Sequence, residues 1–315
     1  MEVHIQYPFM KVLIVCSGNN RKIAPFIKEQ AESLMKSGLD IDYFLVKGKG
    51  LLGYWKNRKQ LLKKINEFRP DIIHAHYGLS GLLANLQRKI PVVTTYHGSD
   101  INNRKILRFS KIAIRLSAYN IFVSQKNIDI SGVKKHFALI PCGVDTSLFL
   151  PIDKESAKSQ MSLEPTKKYV LFAGAFDNRV KNSTLAKEAV SQLNGVELLE
   201  LKGYNREQVV LLMNAVDAVL MTSFTEGSPQ FIKEAMACNC PIVSVNVGDV
   251  SDVISGVENC FIADYSPEDI ADKLEILLSK QSKTNGREKI LQMGLDINAV
   301  AKRIMKIYEN IAKKI

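Results

Sequence analysis

The chain has 315 residues, of which 46% are hydrophobic and 24% are charged. This length and apolar fraction are enough for a large core and favour two domains over one. No apolar run approaches the roughly 18 residues of a membrane-spanning helix, and no secretory signal peptide is recognisable. The five cysteines show no paired spacing, which favours a reducing compartment. We therefore expect a cytoplasmic protein, soluble or peripheral to a membrane.

The formal net charge of +11 is distributed unevenly. Residues 1–150 carry 23 Lys and Arg against 10 Asp and Glu, a net of +13, whereas residues 151–315 carry 20 against 22, a net of −2. This asymmetry predicts an anionic partner for the first half, either a membrane surface or a nucleic acid. Because no nucleic-acid-binding module accompanies the charge, we expect no nucleic acid partner.

The first half alternates between strand and helix patterns. Residues 11–16 form an apolar run that is typical of a parallel strand covered on both faces, and residues 1–9 precede it as a short extension. The other predicted strands are 41–46, 71–76, 91–96 and 120–123, and the predicted helices are 21–37, 55–68, 79–88 and 104–116. This alternation predicts a doubly wound α/β domain.

Two motifs lie at opposite ends of the early strands. Gly18 follows the first strand, where a glycine either completes a tight turn or lets the backbone approach a phosphate. Asp40 and Asp42 form an Asp-x-Asp pattern that could bind a metal, but they open their strand. Ligands of open α/β sheets lie beyond the carboxyl ends of the strands. We therefore expect no metal at these aspartates.

Three histidines lie close to strand ends. His97 directly follows the strand 91–96, in the position where ligands of such sheets bind. His74 and His76 are two residues apart on one strand, so they share a face, and His76 is nearer the strand end. We favour His97 as the site residue over His76, which could also contact a ligand, and we expect His74 to be packed or turned to a backbone partner.

Two helix patterns carry the positive charge of the first half. Four basic residues of the helix 104–116 recur at spacings of three or four and therefore share a face. The helix from residue 55 carries five more basic residues and begins at Tyr54 and Trp55. The basic residues are Arg104, Arg108, Lys111, Arg115, Lys56, Arg58, Lys59, Lys63 and Lys64. Each helix alone fits a solvated face, but the net of +13 favours a contact with anionic lipid headgroups.

The second half repeats the alternation after a polar stretch, residues 153–166, that is predicted to be a linker. The predicted strands are 169–174, 196–201, 218–221 and 241–245, and the predicted helices are 206–215, 267–280 and 298–314. Between the strand 218–221 and the next helix, Ser228 is a predicted N-cap and Pro229 the first helical residue. Glu226 then lies on the loop and Glu234 about two turns into the helix, where fixed carboxylates could accept hydrogen bonds from sugar hydroxyls. A solvated helix face is the alternative.

This stretch resembles the signature of glycosyltransferase family 4. The resemblance rests on Glu226 and Glu234 with seven residues between them, and on the segments 235–243 and 247–249 that follow. It implies the GT-B fold, an α/β architecture in which two Rossmann-like doubly wound domains face each other across a cleft. The expected domains are an acceptor-binding domain, 1–148, a nucleotide-sugar-binding domain, 149–297, and a C-terminal helix, 298–315, that crosses back to the first.

The resemblance also implies roles for particular residues. Glu234 would hold the ribose hydroxyls of the donor, and His97 and Glu226 would lie beside its sugar as the catalytic residues. Lys181 matches the lysine that neutralises the donor diphosphate, whereas Ala175 stands in place of the family's arginine, a charge that we expect Arg179 to supply. The remaining expected donor-binding residues are Gly18; Gly203 and Tyr204, near the nucleobase; Gly227 and Ser228, whose backbone amides would bind sugar hydroxyls; and Pro229. The hinge segment 140–149 also departs from the family in having Cys142 where asparagine is usual.

The sequence therefore predicts a retaining, metal-independent glycosyltransferase of the hexosyltransferase class. It would move a sugar from a nucleotide diphosphate-sugar, its substrate, to a saccharide or lipid-linked acceptor, without a cofactor. We expect it to act in cell-surface polysaccharide or glycolipid synthesis, at the inner face of the cell membrane. A nicotinamide-dependent Rossmann oxidoreductase is an alternative, although the Gly-x-Gly-x-x-Gly fingerprint is absent after the first strand. A non-catalytic GT-B-like nucleotide-sugar-binding protein is another, since Ala175 departs from the family pattern.

Overall fold

The computed structural model describes residues 10–19, 23–280 and 283–313 of the chain. The chain forms two compact units, each built around one parallel sheet. The first unit comprises the residues up to Gly143 together with those from Ile297 onwards, and the second comprises Val144–Asp296. The extension predicted at residues 1–9 and the predicted helix start at residue 21 lie outside the described residues.

The sheet of the first unit has six parallel strands. They are β1 (Lys11–Ser17), β2 (Asp40–Val46), β3 (Ile72–His76), β4 (Val92–Tyr96), β5 (Tyr119–Phe122) and β6 (Phe137–Leu139). Their order in the sheet is β2-β1-β3-β4-β5-β6, and every residue of β3 and β4 is buried. Burial on both faces explains the continuous apolar runs, because helices cover the two sides of a parallel sheet.

Helices follow most of these strands. They are α1 (Pro25–Lys36), α2 (Gly50–Trp55), α3 (Arg58–Phe68), α4 (Gly78–Asn85), α5 (Ser99–Asn102), α6 (Arg104–Leu116) and α7 (Gln125–Ser131). The prediction for 104–116 is confirmed, whereas α5, α7 and the short β6 were not predicted. All three missed elements are short, so none contains enough turns or alternations to produce a clear period.

The helix predicted over 55–68 is wrong as one element, because the structure divides it into α2 and α3. Asn57 lies at the break, and its side-chain amide donates to the carbonyls of Lys47 and Gly53 at 2.8 and 2.7 Å. In α2, Tyr54 packs in the core beside Leu61, and only 9% of the Tyr54 surface is exposed. A lipid contact through Tyr54 is therefore wrong, since its ring faces the protein interior.

The sheet of the second unit has five parallel strands. They are β7 (Lys168–Phe172), β8 (Val196–Glu200), β9 (Ala218–Met221), β10 (Ile242–Val245) and β11 (Cys260–Ala263). Their order is β11-β10-β9-β7-β8. In both sheets the direction of winding reverses beside the first strand, between β1 and β3 and between β7 and β9. Such reversal points open a crevice at the carboxyl ends of the strands, where ligands of α/β proteins bind.

The helices of the second unit include one that replaces the predicted linker. They are α8 (Lys154–Gln160), α9 (Ser183–Val190), α10 (Arg206–Ala215), α11 (Gln230–Ala237), α12 (Val250–Ile254), α13 (Pro267–Ser279) and α14 (Gly286–Gln292). The linker prediction for 153–166 is wrong, because Asp153 caps α8 by accepting from the Ser156 amide at 2.9 Å. Lys158, 5% exposed, donates to the carbonyls of Pro165 and Lys167. Its charge is thus satisfied inside the fold, which the polar composition did not indicate.

The last helix, α15 (Ile297–Ala312), completes the core of the first unit. Its residues Val300, Ile304 and Tyr308 pack in the same apolar cluster as Ile27 and Leu34 of α1. Tyr308 is fully buried. The six-stranded sheet is therefore covered on one side by residues from both ends of the chain.

Candidate functional site

The loop between β9 and α11 carries the two predicted carboxylates. Helix α11 begins at Gln230, with Pro229 rather than Ser228 as the N-cap, so that prediction was one residue early. Glu226 lies on the loop as predicted, while Glu234 is the fifth residue of the helix, about one turn in rather than two. The strand, loop and helix themselves are confirmed.

Glu226 forms an ion pair across the point where the second sheet reverses. Lys181 follows β7, and its Nζ lies 2.7 Å from Oε1 of Glu226, which follows β9. The two side chains are 23% and 18% exposed, so the pair is partly shielded from water. A shielded pair is screened less by salt than a surface pair, and both groups remain within reach of a ligand in the crevice.

Lys181 is held by a short turn that includes Arg179. A 3₁₀ turn spans Arg179–Lys181, and the Thr222 hydroxyl donates to the Lys181 and Asn182 carbonyls, both at 2.9 Å. Gly174 has a φ of +152°, and a Cβ there would lie 3.0 Å from Lys181 Cγ. The glycine therefore makes room for the lysine side chain. Arg179 itself is exposed on the turn, so the two predicted cations have different surroundings.

Glu234 is paired with an arginine that the sequence analysis missed. Its side chain is 6% exposed, and its Oε1 accepts from the Arg206 guanidinium at 2.8 Å. The guanidinium carbon of Arg206 lies 4.7 Å from the centre of the Phe149 ring, so the cation is also stacked. A carboxylate this buried needs such a partner, because an unpaired charge in the interior is costly. Arg206 is the first residue of α10 and directly follows Asn205, whose side chain caps that helix. This position at a helix start, just after β8, is the sequence signal from which Arg206 could have been identified.

Two neighbouring loops fix the backbone around Gly227 and Ser228. Gly248 has a φ of +65°, and a Cβ there would lie 2.7 Å from the Gly227 carbonyl oxygen. The Ser228 hydroxyl donates to Asp249, and burial raises the pKa of that carboxyl. The backbone of this turn is therefore held by contacts within the unit. Whether the Gly227 and Ser228 amides bind sugar hydroxyls stays a prediction.

Gly203 and Tyr204 follow β8, on the strand that neighbours β7. Gly203 has a φ of +85°, a left-handed conformation that side chains disfavour, and Tyr204 is 39% exposed. Both residues therefore lie on the same carboxyl edge of the sheet as Lys181 and Glu226. Their predicted role at the nucleobase stays a prediction.

His97 lies in a cluster of aromatic and sulfur groups in the first unit. Its Nε2 is 3.0 Å from Nδ1 of His76, and the Cys142 sulfur is 3.6 Å from its Nδ1. The rings of Phe26 and Tyr77 pack against it, with centroids 4.9 and 4.7 Å away. Cys142, which stands where the family has asparagine, thus contacts the predicted site histidine directly.

The other two histidines are fully buried. His74 contacts the Tyr308 hydroxyl through Nδ1 and the Thr95 hydroxyl through Nε2, so its packing is confirmed. Burial lowers the pKa of His74 to about 3 and that of His76 well below its ordinary value. Both imidazoles are therefore neutral at pH 7, and the His76 ring packs against the ring of His97.

A buried aspartate shapes the turn after His97. The Asp100 carboxylate accepts from the backbone amides of Gly78, His97 and Gly98 at 2.8, 3.1 and 3.1 Å. Burial raises the pKa of Asp100 to about 6 although these amides oppose the shift. A cavity of about 320 Å³ adjoins this turn, between Tyr54, Tyr77 and Ile106. The carboxyl edge of the first sheet therefore has room for a small ligand.

Two early motifs have structural explanations. The Gly18 amide donates to the Val46 carbonyl at 2.8 Å, and a Cβ on Gly18 would lie 2.7 Å from Leu45 Cβ, so the glycine allows the chain after β1 to pack closely against the end of β2. A phosphate contact at Gly18 stays a prediction. Asp42 is paired with Lys64, and Asp40 lies 3.7 Å from Lys11, both at the amino-terminal end of the sheet. Within the parts of the chain that the structure describes, no helix is both long and apolar enough to span a membrane.

Two family models match the chain. The model of Glycosyltransferase Family 4 matches residues 12–148, and that of Glycosyl transferases group 1 matches residues 169–280. Among curated relatives, TuaC of Bacillus subtilis (strain 168), which is named as a glycosyltransferase of teichuronic acid biosynthesis, is 24% identical over 242 residues. That match covers 67% of this chain and 62% of TuaC. The D-inositol 3-phosphate glycosyltransferase of Arthrobacter sp. (strain FB24) is 25% identical, over 66% of this chain and 62% of the relative. The chain thus spans about 62% of the length of these relatives.

Solved structures share the fold at low identity. Sucrose-phosphate synthase from Thermosynechococcus elongatus aligns with a TM-score of 0.86 and 16% identity, covering 97% of this chain and 100% of the other. HepE from Anabaena, solved with UDP-glucose, aligns with a TM-score of 0.76 and 16% identity, covering 96% and 100%. The two family matches together span most of the chain and show that it belongs to glycosyltransferase family 4, and the alignments with solved structures show that it has the GT-B fold.

Proposed function

We propose that this chain is a retaining, metal-independent glycosyltransferase of the hexosyltransferase class. Its donor is a nucleotide diphosphate-sugar, and its acceptor is a saccharide or a lipid-linked saccharide. The observation that carries this proposal is the pairing of Lys181 with Glu226 and of Arg206 with Glu234. These pairs place cations and carboxylates after β7, β8 and β9, around one sheet reversal. Family membership favours this activity over hydride transfer by a nicotinamide-dependent enzyme.

The Lys181–Glu226 pair suits a diphosphate that arrives with a sugar attached. Phosphate oxygens carry more negative charge than one carboxylate, so they can take over the Lys181 ammonium. Glu226 is then released to accept a hydrogen bond from a sugar hydroxyl. Arg179, exposed on the same turn, supplies a second cation in place of the one missing at Ala175. Because these side chains stabilise the charge of the leaving diphosphate, the chemistry needs no metal ion and no cofactor.

In the proposed reaction the bond between the sugar C1 and the diphosphate oxygen breaks as the acceptor oxygen bonds to C1. The acceptor proton passes to the departing phosphate oxygen on the same face of the sugar. The configuration at C1 is therefore retained, and no side chain has to act as a base. Within the second unit the Gly227 amide is the proposed donor to the sugar. Within the first unit His76 holds the ring of the proposed site residue His97, with the two ring nitrogens 3.0 Å apart.

The Arg206–Glu234 pair suits the nucleoside part of the donor. Two adjacent ribose hydroxyls can donate to the Glu234 carboxylate while Arg206 continues to compensate its charge. Gly203 and Tyr204, at the end of β8, are the proposed contacts of the nucleobase. HepE has been solved in complex with UDP and with UDP-glucose, so a uridine donor is the first to test.

The names of the relatives guide the choice of acceptor. TuaC is named for teichuronic acid biosynthesis and the actinobacterial relatives for D-inositol 3-phosphate. Both names refer to hydroxylated, anionic compounds, and an acceptor of that chemistry would fit the net of +13 in residues 1–150. We therefore propose a role in cell-surface polysaccharide or glycolipid synthesis. The first unit would bind the acceptor and the second the donor, at the inner face of the cell membrane.

The test is a calorimetric and thermal-shift panel of UDP, GDP, ADP and their sugar conjugates, with Mg²⁺ and with EDTA. A ligand that binds only the folded protein raises its melting temperature. We expect selective binding of one nucleotide that EDTA leaves unchanged. NMR of the product formed with the selected donor then reports the anomeric configuration, which we expect to be retained.

Other outcomes separate the alternatives. Binding of NAD(P) alone would contradict the proposal. Donor binding without transfer to any saccharide or lipid-linked acceptor would support a non-catalytic nucleotide-sugar-binding protein. A product with inverted anomeric configuration would still support glycosyl transfer but would contradict the retaining mechanism.

A further inference from the structure

We propose that α2 is the membrane-docking element of this protein, with Leu51, Leu52 and Trp55 inserting into an anionic bilayer. The proposal narrows the membrane association proposed above to one helix. Its test uses neither donor nor acceptor, so its failure can be told apart from a failure of the proposed glycosyl transfer. It rests on the exposure of three apolar side chains, the charges around them and the neighbours of α2.

The apolar observation is a cluster of large side chains in water. Leu51, Leu52 and Trp55 are 38%, 79% and 55% exposed. Residues three and four apart on a helix share a face, so the two leucines both lie beside Trp55. Tyr54, between them in sequence, is buried and anchors the helix to the core. Single exposed apolar residues are ordinary, but a contiguous group on one helix face indicates an interaction site.

The charges around this face select its partner. Five basic residues flank it between positions 47 and 59, all exposed, and no acidic residue lies in that segment. They are Lys47, Lys49, Lys56, Arg58 and Lys59. A basic rim around an apolar centre matches a leaflet with anionic headgroups above acyl chains. Nucleic acid would use the charges but leave the leucines in water.

The neighbouring elements extend the same surface. Both α2 and α6 pack against α4, and α6 presents exposed basic residues with no acidic one. Tyr54 of α2 and Ile106 of α6 also line the cavity of about 320 Å³ beside the turn after His97. A bilayer that contacts α2 therefore lies next to a cavity open to the carboxyl edge of the sheet. A lipid-linked acceptor held in that bilayer would have a short path to it.

The experiment uses Trp55 as its own probe, because it is the only tryptophan in the chain. The full chain is mixed with vesicles of phosphatidylcholine alone or with one third phosphatidylglycerol. We expect a blue shift of the tryptophan emission, and quenching by brominated lipid chains, only with the anionic vesicles. High salt should weaken binding, since the headgroup attraction is screened within a few ångströms at molar ionic strength.

Variants separate insertion from charge attraction. Leu52→Ser should lower the vesicle partition coefficient about tenfold, because a side chain that enters the bilayer is lost. Leu291→Ser is the matched control, since Leu291 is 52% exposed on α14 of the second unit, and it should bind as the parent does. The double variant Lys56→Glu, Arg58→Glu should reduce vesicle binding more than Leu52→Ser does. The binding that remains should no longer depend on phosphatidylglycerol.

Three results would overturn the proposal. One is an unshifted emission with anionic vesicles. Another is equal loss of binding in the Leu52→Ser and Leu291→Ser variants. The third is a blue shift caused by an acidic protein or RNA but not by the vesicles, which would identify a different occupant of the same face.

Discussion

The two units share a parallel sheet that reverses beside its first strand, but they place different chemistry at the reversal. In the second unit the groups are charged and paired, Lys181 with Glu226 and Arg206 with Glu234. In the first unit His76, which burial holds neutral, packs against His97, beside the buried Asp100. All five histidines of the chain lie in its first half. One fold thus supports a site of ion pairs in one unit and a site of packed imidazoles in the other.

The contrast also explains how easily each site can be detected from sequence. Charged residues on loops stand out in a sequence, because loops rarely need them for packing. Histidines inside a strand such as β3 do not stand out, since a buried imidazole has a structural explanation as well. Four predictions test whether the contrast between ion pairs and packed imidazoles is functional.

Removing the Lys181 charge should have the largest effect. We expect Lys181→Met to lower kcat/KM about 10²- to 10³-fold, because the charge that develops on the leaving diphosphate loses a preorganised cation. Lys167→Met is the matched control, since Lys167 is 38% exposed, pairs with Glu197 and lies directly before β7, at the opposite end of the strand from Lys181. Steady-state kinetics with the selected donor measure both. A loss of the same size in the control would contradict a specific role for the Lys181 charge in the reaction.

The Glu234 pair should affect donor binding next. Glu234→Gln keeps the shape of the side chain but loses the charge that faces Arg206 and the ribose, so we expect donor affinity to fall about ten- to a hundredfold. Calorimetry with the nucleotide measures the change, and Glu197→Gln, 45% exposed, is the control. A double-mutant cycle with Arg206→Met should give a coupling energy of about 1 kcal/mol or more. Full donor affinity in Glu234→Gln would contradict the ribose assignment.

A smaller effect should follow from the contact between Gly248 and Gly227. An alanine at Gly248 combines a φ of +65° with a Cβ 2.7 Å from the Gly227 carbonyl oxygen. We expect Gly248→Ala to reduce the free energy of unfolding by about 2 kcal/mol and to weaken donor binding. Gly256→Ala isolates the backbone term, because φ there is +72° and nothing lies within 4 Å of the added atom. Urea unfolding compares the two variants, and equal losses would show that the contact is unimportant.

The buried histidines predict the mildest effect, a pH dependence of stability. The folded-state pKa of His74 is about 3, against an ordinary 6.5, so the unfolded chain binds the proton first as the pH falls below 6.5. Its contribution to stability is complete above pH 6.5 and declines by about 1.4 kcal/mol per pH unit towards pH 3. His76 acts in the same direction, whereas Asp100 and Asp249, whose pKa values are raised by burial, act in the opposite one.

The His74→Asn variant should therefore lose less stability on acidification than the parent. Between pH 6 and 4 the slope of unfolding free energy against pH should fall by about 1.4 kcal/mol per unit. Urea unfolding at a series of pH values gives both slopes. An unchanged slope in His74→Asn would mean that its imidazole is not held neutral in the folded state.

Local patterns decided much of the fold. Several features could be identified from the sequence alone, because each depends on neighbours in sequence. They are the apolar runs of β1, β9 and β10, the basic face of α6 and the loop from Glu226 to Glu234. Boundaries were less secure, as the shifted start of α11 and the division at Asn57 illustrate. The polar composition of α8 concealed a helix, since a buried Lys158 satisfied by two carbonyls has no sequence signature.

Partners distant in sequence were decided only by the tertiary structure. Arg206 and Glu234 are 28 positions apart, and His76 and His97 are 21 apart, so no periodicity connects them. The tertiary structure also decided that Tyr54 is buried while its neighbour Trp55 is exposed. Amino-acid order sets which groups are available at each strand end. Which of them meet depends on how the strands are ordered in the sheet, because the reversal beside β7 brings together loops from β7 and β9.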